Sequence, residues 1–331
     1  MGSPCEEGLD ENFQQQLWPI LALQFALAVA GNGFAIYRFL ARGPPSWHAG
    51  IVYAFNLALS DLMYAFSLLP LAIYYHSGKD WSYGRPFCRL DRFLFFCDLY
   101  GSTFFVACIS LNRYVAIVHP FFAHGRLEPR HAKWLSVGVW LLAVAISAPV
   151  LEFSTTELRN GTNRTLCLGS APRAQLRQYW PYSLFLLTFG CVLPFVLTAF
   201  SCGAILYTVL RNRNITAAEK CKVKVLIGAV VALYALSYLP YHVLRNLNLK
   251  ARMAEKEDCG ASRWIHTLYQ LAKIVVHSHI CLHPLLYAAL ADNLQEYCCR
   301  TFRRRKEGGE RGVPLRLCDH RAPPGDPQNQ S

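Results

Sequence analysis

An aspartate, three histidines and three strongly basic side chains stand inside stretches that are otherwise apolar. Asp61 falls mid-way along residues 49–76, and His277, His279 and His283 punctuate residues 264–290. An ionisable group in such a stretch is costly unless paired or hydrated, so each is read first as functional. His279 and His283, four apart, share a helical face, whereas His277 points elsewhere. Asn32 and Ser102 belong at the depth of Asp61 and would complete a polar cluster. Zinc chemistry is one use of His279 and His283 with Asp61 as a third polar partner, but no further histidine pair stands in a neighbouring apolar stretch to complete a ligand set.

The basic residues suggest different chemistry. Arg92 follows Cys88 by four residues, Arg245 follows Pro240 by five, and Lys273 lies ~13 Å of helix beyond Trp264. Phe95, Tyr100, Tyr241 and Tyr269 stand near them, with His242 and Gln270 close by. Arginine and lysine converging on a half-open cavity clamp phosphates, and flanking rings stack on a base or a cation. The competing reading is that each cation snorkels to lipid headgroups. Three cations on three segments favour an anionic-ligand site. Arg113 is separate: it lies ~32 Å along the helix from Arg92, at the other face of a bilayer, and marks a docking surface for a cytoplasmic partner.

The elements that must position these residues are membrane spans. Of 331 residues 53% are apolar and only 16% charged, well below the charge content of a soluble chain. Seven segments reach the ~20 apolar residues a spanning helix needs: 17–40, 49–76, 89–118, 131–151, 179–210, 222–247 and 264–290. The expected fold is an all-α membrane protein, a seven-transmembrane helix bundle over 17–290. Residues 1–16 form an external segment, 291–303 a short amphipathic eighth helix, and 304–331 a cytoplasmic tail. The net charge of +12 is concentrated in alternate loops and the tail: Arg42, then Arg126, Arg130 and Lys133, then Arg211, Arg213, Lys220, Lys222 and Lys224, then Arg303-Arg304-Arg305-Lys306. Basic residues there mark the cytoplasmic side, placing the N-terminus outside and the C-terminus inside. Positive charge so placed argues for anionic lipid and a cytoplasmic partner, and against nucleic acid. The N-terminus lacks a basic stretch ahead of its apolar one, so no cleavable signal peptide is expected.

Smaller signals agree with this topology. Asn160 and Asn163 head two sequons in one external loop and are expected to carry glycans. Cys88 and Cys167 face the oxidising side and could pair, and so could Cys5 and Cys259. Cys298-Cys299 beside a basic run suit palmitoylation.

Across essentially its whole length the sequence resembles the rhodopsin-like class of G-protein-coupled receptors. The resemblance rests on Gly31-Asn32, Leu57-Ala58-Leu59-Ser60-Asp61, Trp81 and Gly84 before Cys88, Arg113-Tyr114, Trp140, Pro149, Cys167, Pro194, Pro240 and Pro284-Leu285-Leu286-Tyr287. Within that class it looks like the purinergic nucleotide receptors, through Cys88-Arg-Leu-Asp-Arg-Phe-Leu-Phe95, the helix-6 run from Tyr238 to Arg252, and Tyr269-Gln270-Leu271-Ala272-Lys273. It is most similar to the ATP-preferring eleventh subtype, which shares the Asn-Arg-Tyr and His-Pro-Leu-Leu-Tyr forms. The resemblance implies phosphate binding at Arg92, Arg245 and Lys273, a cavity lined by His242, Asn248 and Gln270, a Cys5–Cys259 bridge, and G-protein coupling at Arg113 and Tyr114. It also implies a core switch involving Asp61, Ser102, Tyr238, Pro240, His279, His283 and Tyr287.

Departures from the class pattern are informative. Asn112 replaces the acid usual before the arginine, which implies a less restrained inactive state. His283 stands where the class has Asn or Asp, and His279 where Asn is common; both belong to the usual sodium pocket around Asp61, so sodium modulation is open. Cys202 replaces a helix-5 tyrosine, and Tyr238 the helix-6 tryptophan. The function expected is a plasma-membrane receptor for an extracellular nucleotide, ATP or a related adenine nucleotide. It would signal through heterotrimeric G proteins of the phospholipase-C-linked type, with no enzymatic activity, cofactor or resident metal. The alternatives are a seven-span zinc hydrolase, a receptor for another anionic ligand, and a light receptor using Lys273, one helical turn from the retinal-bearing position that here holds His277.

Overall fold

The computed structural model describes residues 17–43, 47–123, 127–159, 163–254 and 259–286. Seven helices form the bundle: α1 Trp18–Arg42, α2 Ala49–His76, α3 Gly84–Val118, α4 Pro129–Phe153, α5 Leu176–Arg211, α6 Ala217–Met253, and α7 Cys259–His277, which resumes over 279–286. The first six are long and apolar enough to cross a membrane; α7 carries Arg263, His266, Gln270 and Lys273 and is more polar. Cys5, Asn160, Tyr287, Cys298 and Cys299, and the segments 1–16, 291–303 and 304–331, lie outside the described residues.

α3 is the central post, buried along most of its length by α2, α4 and α5. The rim instead turns Leu23, Leu27 and Phe34 of α1 and Trp134 and Leu141 of α4 outward. An apolar outer band around a hydrogen-bonded helical interior is what a lipid solvent requires.

Prolines set the irregularities, and polar side chains repair them. Proline lacks an N–H and crowds the carbonyl four residues back. Ahead of Pro70, α2 breaks at Phe66-Ser67, where Ser67 closes a turn onto the Tyr64 carbonyl. Pro149 interrupts α4 after Ser147. In α5 a π-helical turn, Leu186–Val192, precedes Pro194; the Gly190 carbonyl, four residues before that proline, accepts from Thr103 Oγ1 at 3.0 Å. In α7 the Ile280 carbonyl, four before Pro284, accepts from Asn32 Nδ2 at 2.8 Å.

One correction to a purely helical expectation lies between α4 and α5. Strands β1 Thr155–Leu158 and β2 Thr165–Leu168 pair antiparallel, Thr156 opposite Cys167. The Cys88–Cys167 disulfide pins this hairpin to the start of α3. Hydrogen bonds from Trp81 N to the Thr165 carbonyl (2.8 Å) and from Thr165 N to Asp80 Oδ1 (2.9 Å) pin it to the α2–α3 turn. Asn163 lies exposed just before β2.

Helix ends also exceed the expected spans. α3 starts at Gly84 instead of 89, and α6 at Ala217 instead of 222, where Thr216 and Glu219 form a reciprocal capping box. At 35, 36 and 37 residues, α3, α5 and α6 are longer than a bilayer is thick.

Candidate functional site

Beneath the hairpin, α3, α6 and α7 bring the three basic residues onto one aromatic layer. Arg92 is buried, its Nη1 3.6 Å from Asp91 Oδ2, with the stretch after β2 lying on it: a Cβ at Gly169 would stand 3.2 Å from Arg92 Cδ. Arg245 is 1% exposed. Its guanidinium lies 4.5 Å above the Phe96 ring and donates through Nη2 to the Tyr179 hydroxyl of α5. Lys273 is half-buried, its Nζ 6.0 Å from the Tyr269 ring centre, and it faces the charges of Arg92, Lys79 and Asp91. Phe95 joins the parts, touching Tyr64, Phe96, Tyr241 and His277, while Tyr241 stacks on Tyr269.

Several polar groups of this layer are left unsatisfied. Among the described residues, Arg92 Nε, Arg245 Nε and Nη1, both ring nitrogens of His242 and the Tyr100 hydroxyl are buried without a hydrogen-bond partner. Each such group forgoes about 1–3 kcal/mol, more when charged, until something bonds to it. Tyr100 and His242 are neighbours, ring centres 5.7 Å apart. Asn248 and Gln270 instead bond to the two nitrogens of His266, at 3.3 and 3.1 Å. The outcome is a buried layer with several cations, one acid (Asp91) and orphaned donors, which an anion would satisfy.

Deeper in the bundle a second polar cluster sits among α2, α3, α6 and α7. His283 Nδ1 is 2.9 Å from Asp61 Oδ2 and its Nε2 is 3.2 Å from the Tyr238 hydroxyl. His279 pairs with Asp98, at 3.0 Å. Ser102 Oγ donates to Asp61 and Asp98, and Ser60 Oγ to Asp98. His277 indeed points away, toward the Tyr64 hydroxyl at 2.7 Å. Asn32, expected in this cluster, bonds instead to the Ile280 carbonyl. Asp61, Asp98 and His279 bring ligand-type atoms within 4.8 Å of one another.

At the opposite end Tyr114 bonds to His119 (3.0 Å) and packs on Phe200. Beside Arg113 an apolar cavity is lined by Val106, Ile109, Cys202, Leu226, Val230 and Leu286.

Asp91, Asp98 and Tyr179 are the residues the sequence reading passes over. The two aspartates satisfy the same criterion as Asp61, an acid in an apolar span, and that signal suffices to find them. Tyr179 carries no such signal, because only packing sets it against Arg245.

Seven helices, six of them long and apolar enough to cross a membrane, and a disulfide-pinned hairpin are the architecture of a known receptor class. The family described as "7 transmembrane receptor (rhodopsin family)" matches residues 31–287, and the chain belongs to it. It is 43% identical to a human relative, the Y-type purinoceptor 11, over 305 residues, 86% of this chain and 81% of that one. It is also 33% identical to the Y-type purinoceptor 1 of Gallus gallus over 297 residues, covering 89% and 81%, and 32% identical to the human form of that receptor over 294 residues, covering 88% and 78%. It is thus a multi-pass class A purinergic receptor and not an enzyme, which sets aside the zinc hydrolase and retinal readings.

Proposed function

We propose that this receptor answers an extracellular nucleotide at the cavity under the hairpin, with Arg92, Arg245 and Lys273 holding the phosphates. The carrying observation is the set of buried guanidinium nitrogens without partners, Arg92 Nε and Arg245 Nε and Nη1. Phosphate oxygens match such forks in charge and geometry. Phe95, Tyr100, Tyr241, His242, Asn248, Tyr269 and Gln270 complete the walls, and Tyr100 with His242 offers unspent hydrogen-bonding groups for a base. The likeness to purinoceptors supports a purine-type ligand; ATP or a related adenine nucleotide, and the phospholipase-C-linked G proteins, are the finer reading carried over from the sequence resemblance.

The topology that goes with this reading puts the receptor in the plasma membrane. The N-terminus (1–16) and hairpin lie outside, glycosylated at Asn160 and Asn163, with a second bridge between Cys5 and Cys259. The amphipathic helix (291–303), palmitoylated at Cys298 and Cys299, and the tail (304–331) lie inside. Bound nucleotide favours a bundle in which α6 pivots about Pro240. The change passes through Tyr238, Asp61, Ser102, His279, His283 and Tyr287, and the opened end admits the G protein against Arg113 and Tyr114.

The test is a concentration–response series for a nucleotide panel in cells lacking related receptors. Arg245→Gln and Lys273→Gln should each raise the half-maximal concentration about tenfold or more, the worth of a charge-assisted bond. Unchanged curves at normal surface expression overturn the phosphate assignment. A different anionic ligand is the second reading, favoured by cations that recognise any phosphate or carboxylate; it holds if every nucleotide is silent.

A further inference from the structure

Two buried polar clusters share this bundle, and they are opposites in one respect. The outer one is rich in atoms that lack partners. In the inner one each carboxylate oxygen of Asp61 and Asp98 already has a donor, although both residues are at most 2% exposed. On Asp61, Oδ1 meets Ser102 Oγ at 3.2 Å and His283 Nδ1 at 3.1 Å, and Oδ2 meets His283 Nδ1 at 2.9 Å. On Asp98, Oδ1 meets Ser60 Oγ at 2.8 Å and Ser102 Oγ at 3.3 Å, and Oδ2 meets His279 Nε2 at 3.0 Å.

Receptors of this fold class hold a sodium ion about the residue equivalent to Asp61, and the donor set here does not fit one. Sodium is a hard cation and is held by oxygen lone pairs. The groups turned onto these carboxylates are N–H and O–H bonds, which present hydrogen. His279 Nδ1 faces the Val276 carbonyl, which can only accept, so that nitrogen carries a proton. A second proton then lies between His279 Nε2 and Asp98 Oδ2, because a carboxylate and a bare ring nitrogen have nothing to donate to each other. This proton supplies, inside the pair, the positive charge a metal ion would bring. His283 is held from both sides: with the Tyr238 hydroxyl donating to Nε2, Nδ1–H is left for Asp61. The two rings are 5.2 Å apart at their centres, so they stand together in the space beside the carboxylates.

We infer that the polar core of this receptor is closed to sodium, the imidazole N–H groups of His279 and His283 holding the positions on Asp98 and Asp61 that an ion would occupy. The receptor's equilibrium between its states is then set without a sodium ion.

The experiment compares full-length purified receptor in lipid nanodiscs, unfolded thermally in sodium chloride and in choline chloride at equal ionic strength. Signalling of cells in the same two salts is measured in parallel. Wild-type unfolding midpoints and concentration–response curves should coincide in the two salts. The variant Asp98→Asn, His279→Asn, His283→Asn replaces one carboxylate and both ring donors by amides that can turn an oxygen inward. It should gain a sodium-dependent rise in midpoint and a sodium-dependent shift in response of about fivefold or more, the usual scale of coupling between two sites. A wild-type midpoint that moves with sodium overturns the inference, as does stoichiometric zinc in the purified protein. A folded triple variant that stays indifferent to sodium also overturns it, by removing the imidazoles from the explanation. Should the triple variant fail to fold, His279→Gln is read in its place, and the wild-type comparison decides by itself. The unfolding arm needs no nucleotide, so it fails or succeeds independently of the proposed ligand.

Discussion

The Asn32 side-chain amide donates to the Ile280 carbonyl across the α1–α7 contact at 2.8 Å. That carbonyl is the one Pro284 deprives of its helical donor, so a side chain on the first helix completes the ladder of the last. Gly31 makes the approach possible, since a Cβ there would stand 2.9 Å from Pro284 Cγ.

Asn32→Ala should therefore cost about 1 kcal/mol of stability, within the range measured for interhelical bonds in bilayers. Gly31→Ala should cost more, because backbone and ring must separate. Thermal unfolding of the purified receptor in nanodiscs measures both, and an unchanged midpoint for Asn32→Ala would remove the ladder-completion role.

Gly190→Ala should disturb the proposed ligand site through Tyr100. The added methyl would meet Tyr100 Cδ1 and Cε1 at 2.4 Å, closer than atoms can approach, so Tyr100 must move from its stack on Phe96. Overpacking of this kind costs about 1–3 kcal/mol. Agonist potency and surface expression should both fall, and the additional change Tyr100→Ala should recover much of the expression.

Tyr179→Phe removes the hydroxyl that receives Arg245 Nη2 and keeps the ring. Arg245 stays over Phe96 but loses one anchor, at a cost of about 1 kcal/mol, or roughly fivefold in potency. The shift should vanish in an Arg245→Gln background. Additive losses in that double-mutant cycle would show that the two side chains act separately.

Breaking the Cys88–Cys167 bridge, which closes a separation of 79 residues, should cost about 4 kcal/mol by loop-closure entropy. Cys88→Ser and Cys167→Ser should each lower surface expression and ligand response. The double variant should be no worse than either single one, a comparison made by surface labelling and concentration–response.

The helices were legible because a bilayer enforces length and apolarity, and Arg92, Arg245 and Lys273 stand out because charge in such a segment demands a reason. The hairpin was not: its paired residues, Thr155–Leu158 and Thr165–Leu168, carry no strong alternation and are held by the bridge and by Asp80 and Trp81. Asp98 was within reach, as an acid in a span, and its omission leaves His279 with the wrong partner, since Asp61 is bonded to His283. Tyr179 and the diversion of Asn32 to Ile280 depend on which helix faces which, and no local pattern encodes that.

Arg252 Nη1 of α6 donates to Ser170 Oγ at 2.9 Å, just past the Gly169 that rests on Arg92. The stretch from Cys167 to Ser170 is thus a strap, riveted to α3 at one end and clasped to α6 at the other, lying against Arg92. On the proposed function, a ligand held beneath the strap would leave past this clasp, which is carried by the helix proposed to swing. Residence time and activation would then be two readings of one motion: a ligand that held α6 in the proposed signalling position would also set how fast its own exit opened.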